Sequence, residues 1–222
     1  MLENIAYFFE ILAALSATFF YKKYKDTKLK TFLFFIWYVV LNDILFSKLY
    51  ILYIDPKNNT ILYNIYRFVL FNYLFWLIYN HLTDSLRKKI IVGCAGLFTL
   101  GYLINVYLDG FQYGNFQYST LLGCILYVIA ALYYFIELLK KSDIDNIKNQ
   151  AFVWICVGYL IYGIGFPVVF FARHIKLEGP NFSPEYFEYL QFILGMIVIC
   201  MYSIIGLAFV WSKNMSAKDT LD

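Results

Sequence analysis

The chain has few charged residues and few residues that interrupt helices. Charged residues make up 15% of its 222 residues, and it contains four prolines and two histidines. Soluble domains carry about 25% charged residues, whereas 62% of this chain is hydrophobic. Because a soluble domain has no interior large enough to bury so much apolar surface, this composition excludes an ordinary soluble protein and favours a membrane protein.

Catalytic and metal-binding motifs are also missing. The sequence contains no HExxH, GxSxG or GxxxxGK[ST] segment, and its four cysteines form no CxxC pair. His81 and His174 fall at opposite sides of the predicted membrane, so they cannot share a metal ion. No lysine lies deep in the last apolar stretch, which excludes a retinal protein. We therefore expect no enzymatic activity, no cofactor and no metal site.

Seven apolar stretches predict seven transmembrane helices. Each is close to the roughly 20 residues that cross a bilayer, and short polar connections separate them. The first stretch lacks the basic segment and cleavage site of a signal peptide, so we expect it to be retained. The predicted fold is an all-α integral membrane protein, with a seven-helix bundle over residues 1–212 and a polar cytoplasmic tail at 213–222. The predicted spans are 4–20, 31–51, 61–79, 90–107, 118–139, 151–172 and 186–211.

The distribution of basic residues predicts the orientation. Of the eighteen lysines and arginines, thirteen fall in the first, third and fifth connections and in the tail, four fall on the other side, and Arg67 lies within a span. Because basic connections stay in the cytoplasm, we expect the N-terminus outside and the C-terminus inside, in a bacterial inner membrane. The expected partners are the lipid bilayer and a protein on the cytoplasmic side, and not nucleic acid.

Several ionisable and amide side chains lie inside the predicted spans, where a charge costs about 2.5–3.5 kcal/mol. The predicted topology brings them all to the extracellular half. We expect a polar cluster centred on Arg67, with Asp43 as its most direct partner, because a buried guanidinium needs carboxylates. The surplus of acids indicates a small-molecule ligand, an ion or a proton. The candidates are Glu10, Asn42, Asp43, Asn64, Arg67, Glu188 and Gln191.

Two other interpretations fit the same residues. In the first, the polar groups hold helices together, because polar contacts between helices fix their register. In the second, Glu10, Asn64 and Glu188 lie shallow and extend to the membrane surface. The abundant aromatic residues, 23 Phe and 22 Tyr, are partly explained by an AT-rich genome, so the sequence does not indicate an aromatic ligand cage.

The sixth predicted helix contains the only proline inside a span. Pro167 removes a backbone hydrogen bond, and Gly163 and Gly165 lie just before it. These residues predict a helix kink and make this helix the best candidate for a moving element. A static kink at a close helix crossing is the alternative.

The segment Asn58–Phe68 reads NNTILYNIYRF and is followed by an aromatic run to Tyr79. Over about residues 30–105 these features resemble small, largely uncharacterised seven-helix membrane proteins of Bacteroidota. The resemblance implies a helical membrane fold and a signalling role beside sensor kinases. The glutamate that many of those proteins carry in the third helix has no counterpart here.

Three function classes are compatible with these observations. The favoured one is a sensory or signalling, receptor-like protein with a polar pocket in its extracellular half. A small transporter or oligomeric channel is the second, although it needs polar residues along a whole path and the inner half has few. The third is a scaffold or membrane-acting effector of a larger system. Formation of an oligomer is compatible with all three.

Overall fold

The computed structural model describes residues 2–55, 59–111, 116–141, 149–177 and 184–212, and within these ranges it is helical and contains no strand. Each apolar stretch of the sequence coincides with a helix to within a few residues. The predicted polar tail, 213–222, lies outside the described residues. The helices are α1 (Leu2–Phe19), α2 (Lys28–Tyr53), α3 (Thr60–His81), α4 (Ser85–Asp109), α5 (Gln117–Lys141), α6 (Ala151–Leu177) and α7 (Pro184–Trp211).

Six of these helices, α2 to α7, are long and apolar enough to cross a membrane, and α1 contributes a shorter apolar segment, Asn4–Phe19. Large hydrophobic side chains remain exposed along all of them. In water such a surface would be strongly unfavourable, whereas lipid accommodates it. The chain is therefore a helical, multi-pass membrane protein.

The last helix packs along α1 and α6 through small residues. A Cβ added at Gly206 of α7 would lie 3.5 Å from the Cα of Ala13 on α1. On the other side, a Cβ at Gly158 of α6 would lie 3.1 Å from the backbone oxygen of Met201. Small residues let helix backbones approach closely, which is the main source of helix association in lipid. These contacts place α7 between α1 and α6.

Lys23, just after α1, fixes the direction of α7 relative to α1. Its Nζ donates hydrogen bonds to the backbone oxygens of Phe209, Val210 and Ser212, at 3.2, 3.1 and 2.8 Å. The last carbonyls of a helix have no partner within the helix, and a lysine satisfies both them and the negative end of the helix dipole. Helices α1 and α7 therefore end on the same side and run parallel. We call this side, which holds the lysines after α1, the basic end.

The connection between α3 and α4 is held by a carboxylate from α5. Glu137 is 4% exposed, and its Oε1 accepts hydrogen bonds from both the backbone N–H and the hydroxyl of Thr83, each at 2.7 Å. Its Oε2 accepts from Arg87 at 3.3 Å. Asp84 caps the start of α4 by accepting from the N–H groups of Leu86 and Arg87. Capping preferences explain why α4 begins at this point.

A layer of aromatic side chains fills the bundle near the basic end. Ring centroids are 5.0 Å apart for Tyr24 and Phe209 and 4.1 Å apart for the stacked pair Phe35 and Tyr73. Burial raises the pKa of the Tyr24 phenol, which donates to a backbone oxygen at 2.7 Å. Such offset and tilted ring pairs stabilise a closed core. The aromatic layer consists of Tyr24, Phe32, Phe35, Tyr73 and Phe209.

Helix α6 continues through Pro167 from Ala151 to Leu177. The two glycines of the predicted kink are contact points with neighbouring helices. A Cβ at Gly163 would lie 3.2 Å from Val128 of α5, and one at Gly165 would lie 2.6 Å from the side chain of Ile197 on α7. The structure thus assigns Gly163 and Gly165 to close helix packing, which is the alternative that the sequence allowed.

Candidate ligand-binding site

Two carboxylates of the bundle, those of the buried Glu10 and the half-buried Asp43, interact electrostatically. Glu10 is midway along α1 and is 2% exposed, so it is not the shallow residue that one interpretation of the sequence proposed. Asp43 belongs to α2, and the two side chains interact electrostatically. Because like charges in an apolar bundle repel strongly, this arrangement is costly unless something offsets it.

The carboxylate of Asp43 is positioned by an irregular turn of α2. From Leu41 to Phe46 the helix is π-helical, and the N–H of Ser47 bonds to the oxygen of Asn42, five residues earlier. The Asn42 side chain is buried, and its amide donates to Asp43 Oδ1 at 3.1 Å. A π-turn inserts one extra residue and rotates the rest of the helix, and here Asn42 is buried and Asp43 is half-buried. Such turns occur frequently at functional sites.

Tyrosines from four helices interact electrostatically with the two carboxylates. Each has an electrostatic interaction with Asp43, Glu10 or both, and the rings of Tyr38 and Tyr66 are 6.4 Å apart. A tyrosine offers a ring face that attracts cations and a hydroxyl that can donate or accept. Together with α1, which carries Glu10, five helices therefore contribute side chains to this site. The tyrosines are Tyr38, Tyr66, Tyr159, Tyr162 and Tyr202.

Three polar atoms at this place have no hydrogen-bond partner among the residues that the structure describes. They are Glu10 Oε1 and the hydroxyl oxygens of Tyr38 and Tyr159. Glu10 and Tyr159 are each 2% exposed. A buried polar atom without a partner costs about 1–3 kcal/mol. Their grouping around one pair of carboxylates marks a location where a bound polar species would satisfy several atoms at once.

Arg67 belongs to a neighbouring cluster and not to the carboxylate pair. Its guanidinium donates to Asn64 Oδ1 at 3.1 Å. The Asn64 side-chain amide donates to the backbone oxygen of Phe111 at 3.1 Å, and the backbone oxygen of Asn64 accepts from the hydroxyl of Tyr102 at 3.0 Å. Asn64 is fully buried between helices. This cluster joins α3 to α4 and to the turn after α4.

The predicted ion pair between Arg67 and Asp43 does not form within the described residues, where no nitrogen–oxygen distance of 4.0 Å or less joins them. Asp43 instead interacts electrostatically with Glu10, and Arg67 donates to Asn64. Tyr162 connects the clusters, because it interacts electrostatically with both Arg67 and Asp43.

Glu188 and Gln191 also differ from the prediction. Both are exposed near the start of α7, and neither makes a hydrogen bond or ion pair with the carboxylate pair in the described part of the chain. Their side chains lie on the exposed surface of α7. The structure therefore brings together Glu10, Asn42 and Asp43, adds Asn64 and Arg67 through Tyr162, and leaves Glu188 and Gln191 apart.

The tyrosines are the residues of the candidate site that sequence reasoning did not identify. With 22 tyrosines in the chain, composition could not separate the five at the site from those at the membrane surface. One signal was available: Tyr159, Tyr162 and Tyr202 lie far from the ends of long apolar segments, where a hydroxyl has no water to bind.

Comparisons with protein-family models, with curated proteins and with solved structures found no match to this chain.

Proposed function

We propose that this multi-pass protein is a sensory, receptor-like membrane protein that binds a small molecule or ion inside its helix bundle. The observation that carries this proposal is the pair formed by the buried Glu10 and the half-buried Asp43, which interacts electrostatically with tyrosines of four helices. Bundles that need only stability gain nothing from two like charges, since apolar residues in such positions are often as stable or more so. Ionisable groups inside a membrane are by default candidates for function.

The aromatic layer favours a receptor over an open channel. It lies between the carboxylate pair and the basic end, and Phe32 and Phe209 at its centre are fully buried. A conducting path would need polar groups or water through this layer. Because the aromatic layer closes the basic end, a ligand would enter from the opposite end of the bundle. Its binding would change the positions of the five helices that form the site.

The proposed orientation places the basic end in the cytoplasm, the N-terminus outside and the C-terminus inside a bacterial inner membrane. The excess of lysine and arginine at this end supports it. A C-terminal green fluorescent protein fusion is expected to fluoresce, and a C-terminal alkaline phosphatase fusion to be inactive. The opposite pair of results would reverse the orientation and would put the site in the inner half.

A signal would leave through the cytoplasmic connections. The connection between α3 and α4 is held by Glu137 and Arg87. The start of α2 contacts α3, where the hydroxyl oxygens of Thr31 and Tyr73 are 3.1 Å apart. These short basic connections form a surface on which a partner protein could read a change in helix positions. The resemblance to Bacteroidota proteins found beside sensor kinases suggests a kinase as that partner.

A second candidate function is a small carrier coupled to an ion. The observation in its favour is the same pair of membrane-embedded carboxylates, which is a common feature of proton and ion pathways in transporters. In that case the aromatic layer would be an inner gate, and it would have to open during the transport cycle.

The experiment is thermal unfolding of the detergent-purified protein with a panel of small molecules and ions, in wild type and in Arg67→Leu. Glu188→Gln is the matched control, because Glu188 is exposed and outside the site. A compound that raises Tm in wild type and Glu188→Gln but less in Arg67→Leu supports a pocket that extends to Arg67. Uptake of that compound into liposomes would identify a carrier, and stabilisation without uptake a receptor. No stabilisation by any compound would contradict both and favour a scaffold.

A further inference from the structure

The charge balance at the site indicates what it binds. Glu10 and Asp43 bring two carboxylates into electrostatic contact, and no ion pair to either is present in the described ranges. Among the described residues, the one hydrogen-bond donor to this pair is the neutral amide of Asn42. This inference rests on the proposed function, because it concerns the same site and specifies the class of its ligand.

The unpartnered atoms provide an observation independent of the acidic pair. Glu10 Oε1 and the Tyr159 hydroxyl come from α1 and α6, and both belong to side chains of residues that are only 2% exposed. The two groups also interact electrostatically. A species that offers positive charge and hydrogen-bond donors at this point would satisfy both and would also reduce the repulsion between the carboxylates.

We propose that Glu10 and Asp43 bind one monovalent cation between them, with the Tyr159 hydroxyl as a third contact. The positive charge of the cation balances one of the two negative charges. The second is stabilised by the Asn42 amide on Asp43 Oδ1. Asp43 lies in the π-turn of α2, and the site is assembled only when α1, α2 and α6 are packed together.

The ligand set favours a single positive charge. Divalent cations such as Ca²⁺ take six to eight oxygen ligands, usually with several carboxylates. In the described part of the chain no three His, Cys, Asp or Glu residues come together. The surrounding tyrosine rings attract alkylammonium ions in particular, and a primary ammonium group has three N–H donors for Glu10, Asp43 and Tyr159. An alkali-metal ion has the same charge but gains less from the rings.

The test is a titration of Tm for the purified full-length protein at constant ionic strength, set with the bulky N-methyl-D-glucamine chloride. The probes are propylammonium, Na⁺ and K⁺, with 1-propanol as the neutral counterpart of propylammonium. The variants are Glu10→Gln and Asp43→Asn, which keep size and remove one charge each. Glu188→Gln removes a carboxylate that lies outside the site.

The expected result is a saturable rise of Tm with propylammonium and none with 1-propanol. The apparent affinity is expected to fall on the order of 30-fold or more in Glu10→Gln and in Asp43→Asn, as for the loss of one partner of a buried charge pair, and to stay unchanged in Glu188→Gln. Saturation by Na⁺ or K⁺ with the same dependence on both carboxylates would also support the site and would identify a metal ion as its occupant.

Three results would overturn the proposal: no response to any cation, a response that does not saturate, or one that both variants retain. A lack of response to any cation would mean that the two carboxylates share a proton and bind no cation. If a variant fails to fold, competition between propylammonium and Na⁺ is measured in wild type. Two cations that bind one site must exclude each other, so additive effects on Tm would refute a single site. Stabilisation by a neutral compound that depends on Arg67 but not on Glu10 would refute the cation site and leave the receptor proposal intact.

Discussion

Replacing Gly123 by alanine tests the packing of α5 against α3. Gly123 of α5 faces α3, and a Cβ there would lie 2.6 Å from two ring carbons of Phe71 and 2.8 Å from its Cγ. Phe71 is 2% exposed, so its ring has no free space into which it could turn. The alanine methyl group must therefore push α3 and α5 apart or force Phe71 out of its preferred rotamer.

The magnitude depends on two opposing effects. Overpacking a core typically costs about 1–3 kcal/mol, whereas alanine in a helix interior is favoured over glycine by roughly 0.5–1 kcal/mol. Gly96→Ala on α4 is the matched control, because a Cβ there meets nothing within 4 Å. Since both variants gain the same helix propensity, the difference between them isolates the steric effect, about 1–3 kcal/mol in favour of Gly96→Ala.

The assay is reversible unfolding by SDS of protein held in a mild detergent, followed by circular dichroism. Equal free energies of unfolding for Gly123→Ala and Gly96→Ala would refute the contact between α5 and the Phe71 ring. A second comparison makes the cause specific. In a Phe71→Leu background the penalty of Gly123→Ala is expected to shrink, because the smaller side chain leaves room for the methyl group, and an unchanged penalty would point to another neighbour.

Two further predictions concern the basic end. Glu137→Gln is expected to lower the free energy of unfolding by about 1–3 kcal/mol, the value of hydrogen bonds to a charged group, and unchanged stability in the same SDS assay would show that the carboxylate is dispensable. Lys23→Met is expected to speed hydrogen exchange in the last turn of α7, with a loss of roughly 0.3–1 kcal/mol. The control is Lys25→Met, since the Lys25 side chain is 53% exposed and, within the described ranges, pairs only with Asp26 at 4.0 Å. Equal exchange in both variants would contradict the cap.

The positions of the helices could be predicted from the sequence because they depend mainly on how hydropathy varies along the chain. Hydropathy along the chain separates residues that prefer lipid from those that prefer water, and α6, for example, begins at Ala151, as predicted. The shortest predicted span corresponds to α1, which the structure also shows as the shortest apolar helix. The direction in which a side chain points within the bundle is harder to predict, because it depends on packing between helices distant in sequence.

The composition of the site illustrates this limit. Depth, which hydropathy indicates, places Asp43, Arg67 and Glu188 at similar levels, but a rotation of about 100° per residue decides which neighbour a side chain meets. The π-turn at Leu41–Phe46 changes that rotation locally, and hydropathy carries no sign of it. The packing of Gly206 on Ala13, which brings Glu10 toward Tyr202, was equally invisible in a single sequence.

The contacts between Lys23 and the end of α7 have a consequence for biosynthesis. They join residues 186 to 189 positions apart, so α1 cannot complete its packing until α7 has been made. At synthesis rates of about 5–20 residues per second, α1 waits roughly 10–40 s with Glu10 uncovered. During that interval lipid, the insertion machinery or another protein must shield the carboxylate, which makes α1 the segment most exposed to misassembly or to capture by a chaperone.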